Sequence, residues 1–333
     1  MLKLFRLHKN EFLSEHHQDV KDCIKYENSM VNLYSDNSKD LIKLIHNIYK
    51  FNDDIKICLT NGSEDALWKL FCHYKSNYKQ LCVPRFTWHY YTTLGKRFNY
   101  SIKEIDNKYI KDEKNYRLNY NEMEVDEPSI FILGIPGNPI GFLYEKEIID
   151  DVISKNKDSL FILDIVYNPF EPNEMINLVN KYKNVYVVNS FSKYFGIPGQ
   201  RLGFMVSKNN DINIFNTYLG INSYAIKLGS TLLKNKDHYK EIWNKYSEII
   251  DMYNDKTYDN LQFFNSKSNF LVIKTNHVKN EENTSKIQHF AKNNNIEVKI
   301  EDMSDKLCVR ITLSTDEKIL KFIDNFINNL NSY

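Results

Sequence analysis

The sequence predicts an α/β protein whose mostly parallel sheet lies between helices, followed by a smaller α+β unit. Short strand-like runs alternate with helical patterns from residue 55 to residue 207. Several of these runs are almost continuously apolar, which is typical of strands covered on both faces. Beyond residue 210 a long helix and further strands follow. We therefore expect a large domain over residues 30–225 and a small domain made of residues 1–29 and 226–333.

The individual elements follow from local periodicity. Strands of the large domain are predicted at 55–60, 80–84, 101–105, 129–135, 159–165, 184–190 and 202–207, with helices at 63–76, 144–155 and 173–182. The small domain is predicted to contain helices at 239–255, 283–294 and 316–330 and strands at 269–275, 296–300 and 307–313. The polar segment 106–127 is predicted to be an exposed excursion.

Composition excludes several classes of protein. The 333 residues carry 44 Lys and Arg against 43 Asp and Glu, which argues against binding nucleic acid through bulk charge. No apolar run is long enough for a signal peptide or a membrane-spanning helix. The five cysteines form no CxxC pair, and the histidines lack ligand spacing, so we expect no metal site. These features predict a cytoplasmic protein with reduced thiols.

One stretch gathers an unusual set of residues around a lysine. In "NSFSKYFGIPGQRLGF", residues 189–204, Lys193 is followed within ten residues by three glycines and by Arg201. The whole chain has only ten glycines and six arginines. A lysine amine can form a Schiff base with an aldehyde, and pyridoxal phosphate is the usual biological aldehyde for that chemistry. Lys193 is therefore the candidate catalytic residue.

The sequence also offers partners for the ring of pyridoxal phosphate. Asp164 ends an apolar strand, at the edge of an open α/β sheet where ligands bind. Its carboxylate would keep the pyridine nitrogen protonated, which makes Asp164 the second catalytic candidate. Tyr167 and Asn138 could donate hydrogen bonds to the phenolic oxygen and so lower the pKa of the lysine–cofactor Schiff base.

A phosphate site is predicted where a strand turns into a helix. In "TNGSEDALWKLF", residues 60–71, Gly62 is followed by Ser63 and the first helical amides, which together form an anion site. Arg201 can add a forked contact to the phosphate. The remaining donors are Ser190 and Ser192, and Gly199 and Gly203 are expected to let the chain pass closely around the phosphate.

The same stretch resembles the lysine signature of class I and II aminotransferases, S-x-S-K-x-[FY]-G-x-[PA]-G-x-R-x-G. Four other blocks, "NGSED", "PRFTWHYYTTLG", "GNPIG" and "DIVY", come in the order typical of that family, and "VRITLST" follows near the end. The resemblance covers about residues 8–316. It implies a fold-type I enzyme that depends on pyridoxal phosphate and a role for Glu64, within "NGSED", at the cofactor.

Within that family the blocks "LHKNEF", "NLYSD" and "NGSED" look most like those of histidinol-phosphate aminotransferases. The likeness implies a homodimer in which Tyr34 reaches the cofactor phosphate of the neighbouring subunit. It places His89 at the position that stacks on the cofactor ring, with Trp88 and Tyr90 as alternatives. It also implies that Arg310 binds the acidic group of the substrate and that Asn10 and Asn138 lie on the substrate side.

We therefore predict an aminotransferase that acts on a small phosphorylated amine or amino acid. Two alternatives stay open at this point. The first is a decarboxylase or lyase that acts on a phosphorylated amino acid with the same cofactor residues. The second is a non-catalytic binding protein on the same fold, which the presence of both Lys193 and Asp164 argues against.

Overall fold

A computed structural model describes residues 5–25, 38–111, 113–167, 174–217 and 220–332. The strands are β1 (Phe5–Arg6), β2 (Lys56–Thr60), β3 (Gln80–Pro84), β4 (Ser101–Ile105), β5 (Asn107–Ile110), β6 (Asn115–Leu118), β7 (Ile130–Gly134), β8 (Leu160–Asp164), β9 (Val185–Ser190), β10 (Gly203–Ser207), β11 (Leu261–Phe263), β12 (Phe270–Val278), β13 (Ile296–Glu297), β14 (Lys299–Glu301) and β15 (Lys306–Thr312). The helices are α1 (Gln18–Lys25), α2 (Ser38–Tyr49), α3 (Ser63–Tyr74), α4 (His89–Arg97), α5 (Lys146–Lys155), α6 (Leu178–Lys181), α7 (Ser223–Lys234), α8 (Lys236–Asp255), α9 (Glu281–Asn293) and α10 (Glu317–Ser332).

A seven-stranded sheet forms the centre of the larger unit, in the order β2-β10-β9-β8-β7-β3-β4. Strands β9, β8, β7, β3 and β4 pair in parallel. Every residue of β7, β8 and β9 is buried. Two apolar clusters account for this burial, because alternate side chains of these strands point into opposite layers. The predicted buried, mostly parallel sheet is confirmed.

The direction of β10 could not be deduced from its sequence. This strand pairs antiparallel with both β2 and β9. Its apolar residues resemble those of its neighbours, and residue pattern alone does not distinguish the two pairing directions when both faces are covered. The lysine-bearing loop between β9 and β10 is long enough for either a hairpin return or a crossover, so its length does not decide the direction either.

The smaller unit has a four-stranded antiparallel sheet in the order β11-β12-β15-β14. The amino-terminal segment joins this unit, because β1 pairs in parallel with β13 and Leu13 bridges to Ser314. Backbone groups of Leu7 and Thr312 also bond, at 2.7 Å. These contacts support grouping residues 1–29 with residues 226–333, and that domain division remains a prediction.

Several parts of the chain differ from expectation. The segment 106–127 is not a simple exposed excursion, since it forms the β5–β6 hairpin and buries Asn107, Asn115 and Met123. Helices α1, α2, α4 and α7 had not been predicted. Residues rich in Thr and Tyr make α4 a poor helix by propensity, and it is stabilised instead by burial of Tyr91 and Leu94.

No helix among the described residues is both long and apolar enough to cross a bilayer. Across the same residues, no group of three His, Cys, Asp or Glu side chains comes together as a metal site would require.

Candidate active site

A cavity of about 470 Å³ opens where β7 and β8 end and the lysine-bearing loop begins. Its wall combines residues from both units and from the amino-terminal segment. This volume lies within the range of small-molecule sites. The predicted site residues that line it are Asn10, Ser63, Glu64, His89, Asn138, Asp164, Tyr167, Ser192, Lys193, Arg201 and Arg310.

Lys193 lies on the wall of the cavity with its amine held by backbone. Its Nζ donates to the carbonyl oxygen of Lys9, at 2.7 Å. Burial, aided by the positive charge of Arg310, lowers the pKa of Lys193 to about 8. The packing of Phe12 against Gly196, which has φ +72°, keeps the amino-terminal segment close to the lysine loop. The amine is thus far closer to its neutral, nucleophilic form at neutral pH than an exposed lysine would be.

Asp164 is the buried acid of the cavity, with 6% of its surface exposed. The hydroxyl of Tyr91 donates to Oδ2 at 2.8 Å, and the N–H of Val166 donates to Oδ1 at 3.2 Å. Burial raises the pKa of the Asp164 carboxyl to about 6, against the lowering effect of these two donors. Asp164 has no cationic partner in the described chain, which leaves a buried carboxylate facing a cavity.

Tyr167 is held between two amides. Asn138 and Asn10 each donate through Nδ2 to its hydroxyl oxygen, at 3.1 and 3.0 Å. Asn10 is itself fixed, because its backbone N–H donates to the hydroxyl of Thr312 at 2.9 Å. With both amides donating to its oxygen, the phenol has its own O–H free to donate to a ligand in the cavity.

The turn predicted to hold the cofactor phosphate lies where Gly62 precedes Ser63 at the start of α3. Gly62 has φ +83° and precedes α3, whose first amides lack a side-chain cap. Arg201 lies against Gly62, since a Cβ there would be 2.7 Å from a terminal nitrogen of Arg201. Gly203 approaches Gly62 and could not carry a side chain. Gly199 has open space around the position of its missing Cβ, and its expected passage around a phosphate stays a prediction.

The two serines of this loop differ in position. Ser192 lines the cavity, whereas Ser190 is buried behind it and does not. Ser190 Oγ bonds to Ser192 Oγ at 2.8 Å and accepts the backbone N–H of Ser192 at 3.1 Å. Ser190 therefore fixes the turn in which Ser192 stands.

Arg310 reaches the cavity from β15, with an exposed side-chain fraction of 8%. Its Nε donates to Glu301 Oε1 at 2.6 Å, and its guanidinium carbon lies 5.3 Å from the centre of the Phe270 ring. One terminal nitrogen, Nη1, is buried without a hydrogen-bond partner in the described chain. An unpaired buried N–H group is costly, so this arrangement suits an anionic ligand.

Three aromatic candidates for the ring-stacking position come together at the start of α4. His89 and Trp88 both line the cavity, and Tyr90 does not. Trp88 packs edge-on against Tyr91, with ring centres 5.5 Å apart. Tyr34, the residue expected to act across a dimer, lies outside the described residues.

Sequence reasoning missed several residues that line the cavity: His8, Lys9, Tyr91, Lys299 and Glu301. Lys299 and Glu301 are two apart on β14 and therefore share one face of that strand. The alternation of side chains along a strand could have predicted that Lys299 and Glu301 line the cavity, once Arg310 was placed on the neighbouring strand. No local signal identified Tyr91.

These residues fit pyridoxal phosphate. A buried carboxylate without a cation suits a protonated pyridine nitrogen, a lysine with a lowered pKa suits an aldehyde, and uncapped helix amides beside Arg201 suit a phosphate. Fold and site together define the class of fold-type I enzymes that use this cofactor.

Comparison with known proteins agrees. Residues 3–326 match the family described as aminotransferase class I and II. The histidinol-phosphate aminotransferase of Brachyspira hyodysenteriae is 29% identical over 304 residues, which cover 88% of this chain and 82% of that protein. The chain belongs to this family and is a pyridoxal-phosphate-dependent aminotransferase.

Two solved structures share the fold. The histidinol-phosphate aminotransferase of Clostridium acetobutylicum superposes with a TM-score of 0.83 at 19% identity, over 99% of this chain and 100% of that one. The L-threonine-O-3-phosphate decarboxylase of Porphyromonas gingivalis superposes with a TM-score of 0.77 at 18% identity, over 98% of this chain and 100% of that one.

Proposed function

We propose that this protein transfers the amino group of a small phosphorylated amine, of the kind named by its histidinol-phosphate aminotransferase relatives. One observation carries the proposal: a single cavity joins the Lys193 and Asp164 pair to an end rich in cations. Lys9, Lys299 and Arg310 line the cavity together with the carboxylate of Glu301, and strand pairing places Lys299 opposite Arg310. Such an excess of positive charge favours a phosphate ester.

Each residue of the cavity has a proposed role. Pyridoxal phosphate, when bound, supplies an aldehyde for the amine and an electron sink for the reacting carbon. Lys193 Nζ holds the cofactor and, once released, moves a proton from the amine-bearing carbon of the substrate. The Asp164 carboxylate pairs with the ring nitrogen, and the Tyr167 hydroxyl and Asn138 amide meet the phenolic oxygen. Stacking on the ring falls to His89, with Trp88 as the alternative.

The phosphate anchors are proposed to be Gly62 and Ser63 at the start of α3, with Ser192 and Arg201 from the lysine loop. Ser190 supports Ser192 rather than meeting the cofactor. Oε2 of Glu64 lies 3.9 Å from Nη2 of Arg201, and this weak, exposed ion pair would orient the arginine side chain.

The test follows the amino group itself. Purified holoenzyme is mixed with L-histidinol phosphate or with L-glutamate, and the absorbance of the bound cofactor is followed. We expect both compounds to convert the cofactor to its aminated form, with products that account for the nitrogen. If neither compound changes the spectrum and O-phospho-L-threonine releases CO₂, the protein is the decarboxylase alternative. Failure of the protein to bind the cofactor at all would favour the non-catalytic alternative.

Replacing Arg310 by alanine is expected to weaken substrate binding without loss of cofactor. A charge-assisted hydrogen bond contributes about 1.5–3 kcal/mol, so KM for the phosphorylated amine should rise about 10- to 100-fold. The matched control is Arg85→Ala, which removes an exposed arginine paired with Asp106 at 3.3 Å outside the cavity. Release of the cofactor from the Arg310 variant, with unchanged KM, would show that Arg310 has been given the wrong role.

We further infer a cytoplasmic homodimer in which Tyr34 contributes to the neighbouring site. The resemblance of "NLYSD" to the corresponding block of the family supports this assembly. Sedimentation velocity measures the dimer directly, and a monomer that retains full activity would refute it.

A further inference from the structure

Tyr91 is a buried tyrosine in the cavity wall for which the proposed reaction has no direct use. It lies in the first turns of α4, with 3% of its surface exposed. Its hydroxyl is bonded to Asp164 Oδ2 at 2.8 Å, across 73 residues of sequence. A buried hydroxyl that donates to a carboxylate forms one of the stronger hydrogen bonds in proteins.

The surroundings of Tyr91 hold this hydroxyl in one place. Trp88 packs against the ring edge-on, and Gly134, at the end of β7, faces the oxygen. A Cβ at position 134 would be 3.3 Å from that oxygen, so a larger residue there would crowd it. Because Gly134 has no side chain, there is room for the hydrogen bond from Tyr91 on α4 to Asp164 at the end of β8.

Asp164 depends on few donors. Apart from Tyr91, only the N–H of Val166 donates to its carboxylate within the described chain, at 3.2 Å. Burial favours the protonated acid, whereas a hydrogen bond donated to the carboxylate favours the ionised form. A protonated acid could not pair with a protonated ring nitrogen.

We propose that Tyr91 is a positioning residue, which acts through Asp164 by holding its carboxylate ionised and oriented toward the cofactor ring. This inference rests on the role proposed above for Asp164. It concerns a contact that depends on α4, a helix the residue pattern did not predict. Tyr91 does not take or give a proton in the reaction.

The test is a double-mutant cycle on the holoenzyme with Tyr91→Phe, Asp164→Asn and both together. Alone, Tyr91→Phe should slow cofactor amination by L-histidinol phosphate about 10- to 100-fold, as expected for loss of a hydrogen bond to a charged group. In the Asp164→Asn background the same substitution should have almost no effect, because the carboxylate is already gone.

A pH measurement supplies a readout that does not depend on turnover. Burial already raises the pKa of Asp164 to about 6, and loss of the Tyr91 donor raises it further. As the pH is lowered, the carboxylate becomes protonated and the affinity of the apoprotein for pyridoxal phosphate should fall. This fall should begin at a higher pH in Tyr91→Phe than in the wild type. A purely structural role would weaken binding equally at every pH.

Tyr100→Phe is the matched control. It deletes another buried hydroxyl, which lies outside the cavity lining. That hydroxyl donates to the carbonyl oxygen of Phe71, at a distance of 2.8 Å. This variant should lose similar thermal stability and leave the pH profile unchanged. An undiminished effect of Tyr91→Phe in the Asp164→Asn background would overturn the inference. If Asp164→Asn alone changes nothing, the proposed role of Asp164 is what fails.

Discussion

Lys193→Ala is expected to abolish turnover by the holoenzyme, with a loss of at least about 10⁴-fold. That figure is the upper end for one positioned acid–base group, and Lys193 also holds the cofactor covalently. The bound cofactor should lose the absorbance of its lysine-linked form and dialyse away more readily. Both effects have one cause, since Nζ is the only atom at this position that can bond to the aldehyde.

The pKa of Lys193 predicts how the wild-type apoprotein captures pyridoxal phosphate. Only the neutral amine attacks an aldehyde, and burial lowers this pKa to about 8. The capture rate should rise about tenfold per pH unit below pH 8 and level off above it. A rate that keeps rising to pH 10 would indicate an ordinary exposed lysine.

A surface lysine provides the control for the alanine variant. Lys155 is exposed and paired with Asp151 at 2.6 Å, on a helix away from the cavity, so Lys155→Ala should retain full activity. Thermal unfolding of both variants separates misfolding from loss of chemistry. Turnover retained by Lys193→Ala in a folded protein would refute the proposed mechanism.

Asp164→Asn is expected to have the second largest effect, a loss of about 10²- to 10³-fold in the rate of cofactor amination. That range is typical when one preorganised electrostatic partner is removed. Asparagine preserves the shape, but its single oxygen can replace only one of the two carboxylate oxygens that accept from Tyr91 and Val166, and it carries no charge for a ring nitrogen. The loss should appear in the chemical step more than in KM.

Without cofactor, the Asp164→Asn protein should not be destabilised, although its activity is reduced. The pKa of Asp164 is raised in the folded protein, so the folded state holds its proton to higher pH than the unfolded chain. Stability therefore falls as pH rises through about 4 to 6, and an asparagine escapes that loss. Above pH 6 we expect the apo variant to unfold at a temperature no lower than the wild type.

Asp211→Asn is the control for this pair of effects. Asp211 also accepts a tyrosine hydroxyl, from Tyr74 at 3.0 Å, but it lies outside the cavity. Its substitution should change neither amination nor the spectrum of the bound cofactor. If Asp164→Asn behaved like Asp211→Asn, the carboxylate would not be the partner of the ring nitrogen.

Much of the site could be predicted from the sequence, because its functional residues lie at or just after the ends of strands. Asp164 lies at the end of a predicted apolar strand, Lys193 and Asn138 each follow one, and parallel strands bring their carboxyl ends to one edge. Gly62 and Ser63 mark a strand-to-helix turn by composition alone. Such signals are local, so a single sequence can carry them.

Other features depended on packing between distant segments. The cavity wall includes Lys9, whose carbonyl meets Lys193 across 184 residues, and the Arg310–Glu301 pair, which depends on strand register. Helix α4 forms against its propensity because burial stabilises it. Its bond from Tyr91 to Asp164 follows from that packing.

The sequence by itself determined the class of fold and the residues proposed to carry the cofactor chemistry, because backbone conformation and residue type are local properties. Tertiary structure alone decided the direction of β10, the charges at the substrate end and the donor that faces Asp164. These depend on which surfaces meet when apolar faces are buried, and periodicity along one segment does not encode the partner that will cover it.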